Sequence, residues 1–321
     1  MLKVSQRWLW AGKFAFGAIL FAIIATRVEL SDLLEKLRRA DVVLCLVAFI
    51  AFGVTRLWEA VRFYFVIGGR RVPFWRVAEM VWVATFFNNF ALSVVGDGYR
   101  AYALRNWLPG WSEAISTIVL DRVLGTFVIL LVFAAYLLFD RQVLELLEHV
   151  GVDWTRVPSG AVLGVEIAAA VLLVALAAAY FTGRLSRLGG WLVHARQSVP
   201  VPSAGVCAIA FASTLAAQVS IAAMTALLVE AFGETAAFGD VFLVMLIVHM
   251  TAFLPVSIGA LGVREGILVL GLPAFGVSAP TAVSVALISR FMLYVYAAAG
   301  GVWLVMAKRR QASISLGAAK G

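Results

Sequence analysis

Two stretches of this 321-residue chain repeat one spacing, Ser93-x-x-x-x-Gly98-x-Arg100 and Ser257-x-x-x-x-Gly262-x-Arg264. Each is followed by a second arginine, Arg122 and Arg290, at the head of an apolar run, and the two intervals differ by about one helical turn. Asp97, Asp121 and Glu265 accompany the four arginines. Arginine suits a phosphate oxyanion, because its planar fork donates two parallel hydrogen bonds and stays charged when taken out of water. Ser93, Gly98, Ser257 and Gly262 would cap a helix or let backbone approach a ligand closely. A helix start adds free N–H groups and a partial positive charge. The plain alternative is that the arginines pair with Asp97, Asp121 and Glu265, as in Asp121–Arg122 and Arg264–Glu265, and only lock helices together.

The elements that must position these charges are membrane helices. The chain is 63% hydrophobic and 14% charged with a mean hydropathy of +0.98, against roughly 45–50% apolar usage in soluble domains. Apolar stretches near the roughly 20 residues that a span requires cover Trp8–Thr26, Asp41–Leu57, Arg122–Phe139, Gly160–Phe181, Ala204–Val229 and Val283–Ala307. An ionisable residue in such surroundings costs several kcal/mol and points to function by default.

Lys and Arg between spans orient the chain, because loops rich in them stay cytoplasmic. Lys3, Arg7 and Lys13, then Arg56, Arg62, Arg70, Arg71 and Arg76, then Arg184, Arg187 and Arg196, and finally Lys308, Arg309, Arg310 and Lys320 mark the inside. The acidic loops at 140–159 and 230–240 mark the outside. Residues 27–41 mix both signs; Leu30, Leu33, Leu34 and Leu37 predict a short amphipathic helix there. On this map 76–121 begins and ends inside and 241–282 begins and ends outside. Both are too broken by Gly, Pro, Asn and charge to hold two clean spans, which predicts broken or re-entrant hairpins in an inverted repeat. The expected architecture is one all-α polytopic transmembrane domain over 1–321, with about six full spans, two such hairpins, and a cytoplasmic tail at 308–321. Both termini are expected on the cytoplasmic side of an inner membrane.

Around the first tip, Asn88 and Asn89 offer amides for freed carbonyls or a lipid headgroup, and equally for bracing the hairpin. Glu79 is expected to pair with a basic neighbour such as Arg76. The basic balance of +8 reads as topology signal rather than nucleic-acid binding, since no single polar face carries it. His149, His194 and His249 are too scattered for a metal site. Cys45 and Cys207 lie in apolar segments with no paired spacing. Gly96-x-Gly98-x-x-Ala101 lacks the βαβ context of a dinucleotide fingerprint. No cofactor is expected.

Asn88-Asn89 through Gly98-Tyr-Arg100, Asp121-Arg122 with Gly125, Leu254-Pro255-x-Ser257-x-Gly259-x-Leu261-Gly262-x-Arg264-Glu265, and Arg290 resemble the lysylphosphatidylglycerol synthase transmembrane family of flippase-like membrane proteins. The resemblance covers nearly the whole chain, with the second segment its most specific part. It implies a lipid translocator; members fused to a cytosolic aminoacyl-transferase domain make the aminoacylated lipid, and a stand-alone member without that domain is expected here. The first copy departs from the family pattern at Ala91-Leu92, where Pro-Gly is expected, and at Val95, where Gly is. The leading expectation is a flippase whose arginines hold the phosphate of an anionic lipid or lipid-linked phosphate, the carboxylates pairing with them in the empty state. The alternatives are a scaffold for a biosynthetic enzyme partner and an enzyme using Asp97 or Asp121 as general base. Loops favour a scaffold if they matter and the arginines do not, and lipid conversion in vitro favours the enzyme.

Overall fold

The computed structural model of the chain describes residues 30–69, 71–90, 93–139, 202–251 and 262–318. Among the described residues every regular element is helical: α1 (Leu30–Arg39), α2 (Val42–Val66), α3 (Phe74–Phe90), α4 (Ser93–Leu104), α5 (Trp111–Phe139), α6 (Ala204–Ala231), α7 (Phe238–Thr251), α8 (Val263–Gly271) and α9 (Ala279–Ala318), with a 3-10 turn at Pro273–Phe275. The chain is an all-α polytopic membrane protein. Helices α2, α5, α6 and α9 are each long and apolar enough to cross a membrane. The expected spans Trp8–Thr26 and Gly160–Phe181 lie outside the described residues, as do Ser257 and Pro255.

Asp41 caps α2, its carboxylate accepting the N–H groups of Val43 and Leu44 at 2.8 and 3.1 Å, which satisfies donors that a helix start leaves orphaned. From there α2 runs unbroken to Val66, with Ala60, Phe63 and Val66 buried in its last turns. This corrects the expected end of the span at Leu57. Arg56, Glu59 and Arg62 are helical residues rather than loop charges, Arg76 belongs to α3, and Arg71 stands in the turn between the two helices. The continuation is possible because these charges find partners in the bundle.

Helix α6 lies antiparallel against α2. The Asp41 N–H donates to the Ala231 carbonyl at 2.9 Å, and farther along Arg62 Nη1 donates to Thr214 Oγ1 at 3.2 Å. Buried Ala210 on α6 packs in one cluster with Val66 of α2, while Ala222 turns to Phe242 and Leu246 of α7.

Helices α3 and α4, of 17 and 12 residues, reach about 25 and 18 Å, both short of a hydrocarbon core about 30 Å thick. They double back on each other. A Cβ at Gly96 would sit 2.0 Å from Asn88 Oδ1 and 2.6 Å from the Ala84 carbonyl, so only glycine admits this approach. At the open end Arg71, before α3, bridges Glu113 at the start of α5 at 2.6 Å.

Helices α7 and α8, of 14 and 9 residues, form the second short pair. Glu234, just before α7, accepts from Ser278 N, Ser278 Oγ and Thr281 Oγ1 at 2.7, 2.6 and 2.6 Å, tying it to the start of α9. Lys36 on α1 reaches the same carboxylate at 2.8 Å. Partial burial alone would raise the Glu234 carboxyl, but the hydrogen bonds from Lys36, Ser278 and Thr281 outweigh it and bring the pKa down to about 2.

Two clusters hold most of the buried core among the described residues. One cluster joins α2, α6, α7, α8 and α9 around Phe52, Met224, Leu243 and Leu268; the other joins α2 to α3, α4 and α5 around Phe63, Val77, Leu104 and Ile118. Helix α2 serves both. Helix α9 closes on α3, where a Cβ at Gly300 would come within 2.1 Å of the Trp82 carbonyl. Near the first tip, the rings of Phe90 on α3 and Tyr294 on α9 stack with centroids 5.7 Å apart.

Candidate functional site

The first repeat builds a chain of alternating charge. Asp121 on α5, with its side chain 1% exposed, accepts from Arg62 Nε at 2.8 Å and Nη2 at 3.3 Å, and from Arg100 Nη1 at 3.2 Å. Arg100 passes on through Nη2 to Asp97 at 2.6 Å, and Asp97 in turn accepts from Arg122 Nε and Nη2 at 3.1 and 2.9 Å. The Arg100 guanidinium also lies 4.8 Å from the centroid of the Phe63 ring, a cation–π contact that a desolvated guanidinium favours. Three guanidiniums meet two carboxylates. The Asp97–Arg122 pair is the accessible end, with side chains 24% and 43% exposed, and Asp121 is the buried end.

The second repeat is built differently. Glu265 accepts the N–H of Gly262 at 2.8 Å and Arg290 Nε at 2.6 Å. Gly262 stands at φ 84°, a conformation that glycine adopts without penalty, and the Glu265 bond satisfies one N–H at the start of α8. Arg264 is 7% exposed, and its Nε and Nη2 have no hydrogen-bond partner among the described residues. Where the first repeat has Asp121 before Arg122, the second has Ser289 before Arg290, and the Ser289 hydroxyl donates to the Ala286 carbonyl at 3.1 Å.

The sequence-adjacent pairs therefore do not form. Asp121 pairs with Arg62 and Arg100 while Arg122 turns to Asp97, and Glu265 pairs with Arg290. Adjacent residues on a helix point about 100° apart, so neighbours in sequence face different partners.

Among the other anticipated residues, Asn89 Nδ2 donates to the Thr85 carbonyl at 2.8 Å, and Asn88 Oδ1 is buried without a partner. Gly96 rather than Gly98 is the close-approach glycine of α4: nothing lies within 4 Å of a Cβ built at Gly98, which leaves that stretch of backbone open. Ser93 begins α4. Arg76 pairs with Glu79 at 2.8 Å and stacks on Trp75 with its centroid at 3.9 Å.

Sequence reasoning missed three residues by counting them as topology signals or passing over them: Arg56, Glu59 and Arg62. Arg56 Nη1 pairs with Glu59 at 2.9 Å. Glu59 lies within electrostatic reach of Arg62 and Arg122 on one side and of His249 on the other, and Arg56 acts on both His249 and Arg264. One face of α2 thus links the two repeats. The i, i+3, i+6 spacing of these charges was the available signal, since it aligns them on one side of a helix. Arg290 also lies 5.8 Å from the Tyr294 ring that stacks on Phe90, a second link between repeats.

Across the whole assembly six guanidiniums (Arg56, Arg62, Arg100, Arg122, Arg264, Arg290) face four carboxylates (Glu59, Asp97, Asp121, Glu265). Such an arrangement can hold an oxyanion and exchange it against its own carboxylates. A family model described as the lysylphosphatidylglycerol synthase TM region matches residues 10–300. No curated protein matches the chain.

Proposed function

The chain belongs to the family of lysylphosphatidylglycerol synthase transmembrane regions, and from that premise we propose that it translocates an anionic phospholipid or lipid-linked phosphate across the inner membrane. One observation carries the reading: Arg264, buried near the start of the short helix α8, has two N–H groups with no acceptor among the described residues. Buried guanidinium donors without acceptors are costly, and a passing phosphate would supply both charge and acceptors. Arg290 and Gly262 lie beside it, and the accessible Asp97–Arg122 pair with the open backbone at Gly98 offers the counterpart in the first repeat. Acyl chains would remain in lipid while the headgroup moves between the two pairs of short helices. No catalytic step is assigned to these residues, and both termini are placed in the cytoplasm.

A structural-lock reading is favoured by the pairing of Arg100, Arg122 and Arg290 with carboxylates. One experiment separates the two. Purified protein in liposomes is followed by protection of fluorescent phosphatidylglycerol, phosphatidylethanolamine and a polyprenyl phosphate from an external quencher, beside an Arg100→Ala, Arg264→Ala double variant. Transport of one lipid, lost in a variant that remains folded, supports the flippase. Folded wild type that protects none of them sinks it.

A further inference from the structure

The buried polar side-chain atoms without a hydrogen-bond partner are nearly all donors. Among the described residues they are Arg56 Nε, Arg100 Nε, Arg264 Nε and Nη2, and Gln218 Nε2, with Asn88 Oδ1 the sole acceptor. Gln218 is 5% exposed. Buried donors without acceptors are rare in native proteins because each forfeits its hydration.

Three of these donor groups, Arg56, Gln218 and Arg264, lie on α2, α6 and α8. The antiparallel register of α2 and α6, set by Asp41–Ala231 and Arg62–Thr214, puts Gln218 level with Arg56 along the pair. The Arg56 charge in turn acts on Arg264. Glu59 occupies Arg56 at Nη1 and leaves the Nε edge unused. In the first repeat Asp121 meets the same kind of demand from within the protein. Here the equivalent position is Ser289, whose hydroxyl is already engaged.

What such a place takes is a ligand with acceptors only, negatively charged and offering several oxygens. We infer that Arg56, Gln218 and Arg264 form an oxyanion seat in the second repeat, taking the phosphate of an anionic lipid or inorganic phosphate. Arg56 and Gln218 lie outside both hairpins, so the seat draws on the α2–α6 pair as well as on α8. The inference deepens the transport reading and rests on it for the nature of the cargo, while binding alone tests the seat.

The test follows the thermal unfolding midpoint of the purified full chain in neutral detergent against inorganic phosphate, short-chain phosphatidylglycerol and short-chain phosphatidylcholine. Ligand that binds the folded state raises the midpoint. Gln218→Glu places a carboxylate at the level of Arg56, where it would supply the missing acceptor internally. It is expected to raise the unliganded midpoint and to weaken the ligand response at least about tenfold, the loss of one charge-assisted contact. Arg71→Gln, at the bundle's end, keeps the wild-type response.

A response to phosphatidylglycerol alone makes the cargo a lipid phosphodiester; a response to inorganic phosphate as well makes the seat a general phosphate site. No response of wild type to either overturns the seat, as does a Gln218→Glu variant that responds like wild type. Should that variant fail to fold, Gln218→Leu decides, and unchanged affinity in it overturns the seat. Lipid transport undiminished in Gln218→Glu sinks the seat and spares the flippase reading. Binding without transport of any lipid does the reverse.

Discussion

Arg62 on α2 and Asp121 on α5 face each other through two bonds, Nε to Oδ1 at 2.8 Å and Nη2 to Oδ2 at 3.3 Å, in a place where the carboxylate is shut away from the surroundings. Taking away one member of a buried pair leaves the other charge uncompensated, at a cost of about 3–5 kcal/mol. Asp121→Asn strands both Arg62 and Arg100, so it is expected to lower the unfolding midpoint sharply. Arg71→Gln breaks a more exposed bridge to Glu113, worth about 0–1 kcal/mol, and should barely move it. Thermal unfolding of both variants in one detergent checks the contrast; equal effects would mean that the buried pair carries no special weight.

Two glycines of α4, two residues apart, are expected to behave in opposite ways. Gly96→Ala drives a methyl group into Asn88 and the Ala84 carbonyl, and overpacking of this kind costs about 1–3 kcal/mol. Gly98→Ala meets nothing and removes a helix-interior glycine, which stabilises by roughly 0.4–1 kcal/mol. Unfolding midpoints read the difference directly. If the open backbone at Gly98 receives the headgroup, Gly98→Ala also slows lipid transport despite its stable fold, and transport at the wild-type rate would remove Gly98 from the site.

The contrast also marks how far sequence reasoning reaches. Arg100, Arg122, Arg264 and Arg290 were legible because a charge inside an apolar run stands out and because they recur at one spacing. Arg62 was hidden by the same rule: Arg56, Glu59 and Arg62 crowd the end of an apolar stretch and imitate a cytoplasmic boundary. Only their burial along α2 separates a site from a loop. Gly96 and Gly98 are alike in sequence, and what distinguishes them is the distance of another helix's backbone, which no local pattern encodes. The difference between the repeats was likewise present, as Asp121 against Ser289, yet its meaning depended on seeing that Arg264 Nε and Nη2 have no acceptor among the described residues while Arg100 has two carboxylates.

Glu234 predicts an acid-sensitive fold. Its carboxyl is held down at about 2 against an ordinary 4.5, because the hydrogen bonds from Lys36, Ser278 and Thr281 outweigh the opposing effect of burial. A depressed carboxyl contributes stability that is fully present above pH 4.5 and is lost as pH falls from 4.5 towards 2. Glu234→Gln is therefore expected to cost about 1–3 kcal/mol at neutral pH, the worth of hydrogen bonds to a charged group. It should also flatten the pH dependence within that window. Unfolding midpoints of wild type and variant from neutral to acid pH check it, and parallel curves would show that Glu234 is not the titrating group.

The asymmetry between the repeats yields the most discriminating substitution. In the first repeat Asp121 precedes Arg122 and accepts from Arg100, so that the buried arginine is neutralised from within. In the second, Ser289 precedes Arg290, and Arg264 keeps two buried N–H groups unused. Ser289→Asp copies the first arrangement into the second. If Arg264 serves only to lock helices, a new counter-ion relieves an uncompensated charge and leaves all other properties alone: the midpoint rises and lipid transport, if present, is unchanged. If Arg264 waits for a phosphate, the same carboxylate stabilises the empty protein and competes with the cargo. The expected outcome is the second, a higher midpoint together with transport reduced by at least about tenfold, which corresponds to roughly 1.4 kcal/mol of lost binding. Measuring both quantities on one preparation decides between them, because a destabilised protein that also fails to transport would support neither role for Arg264.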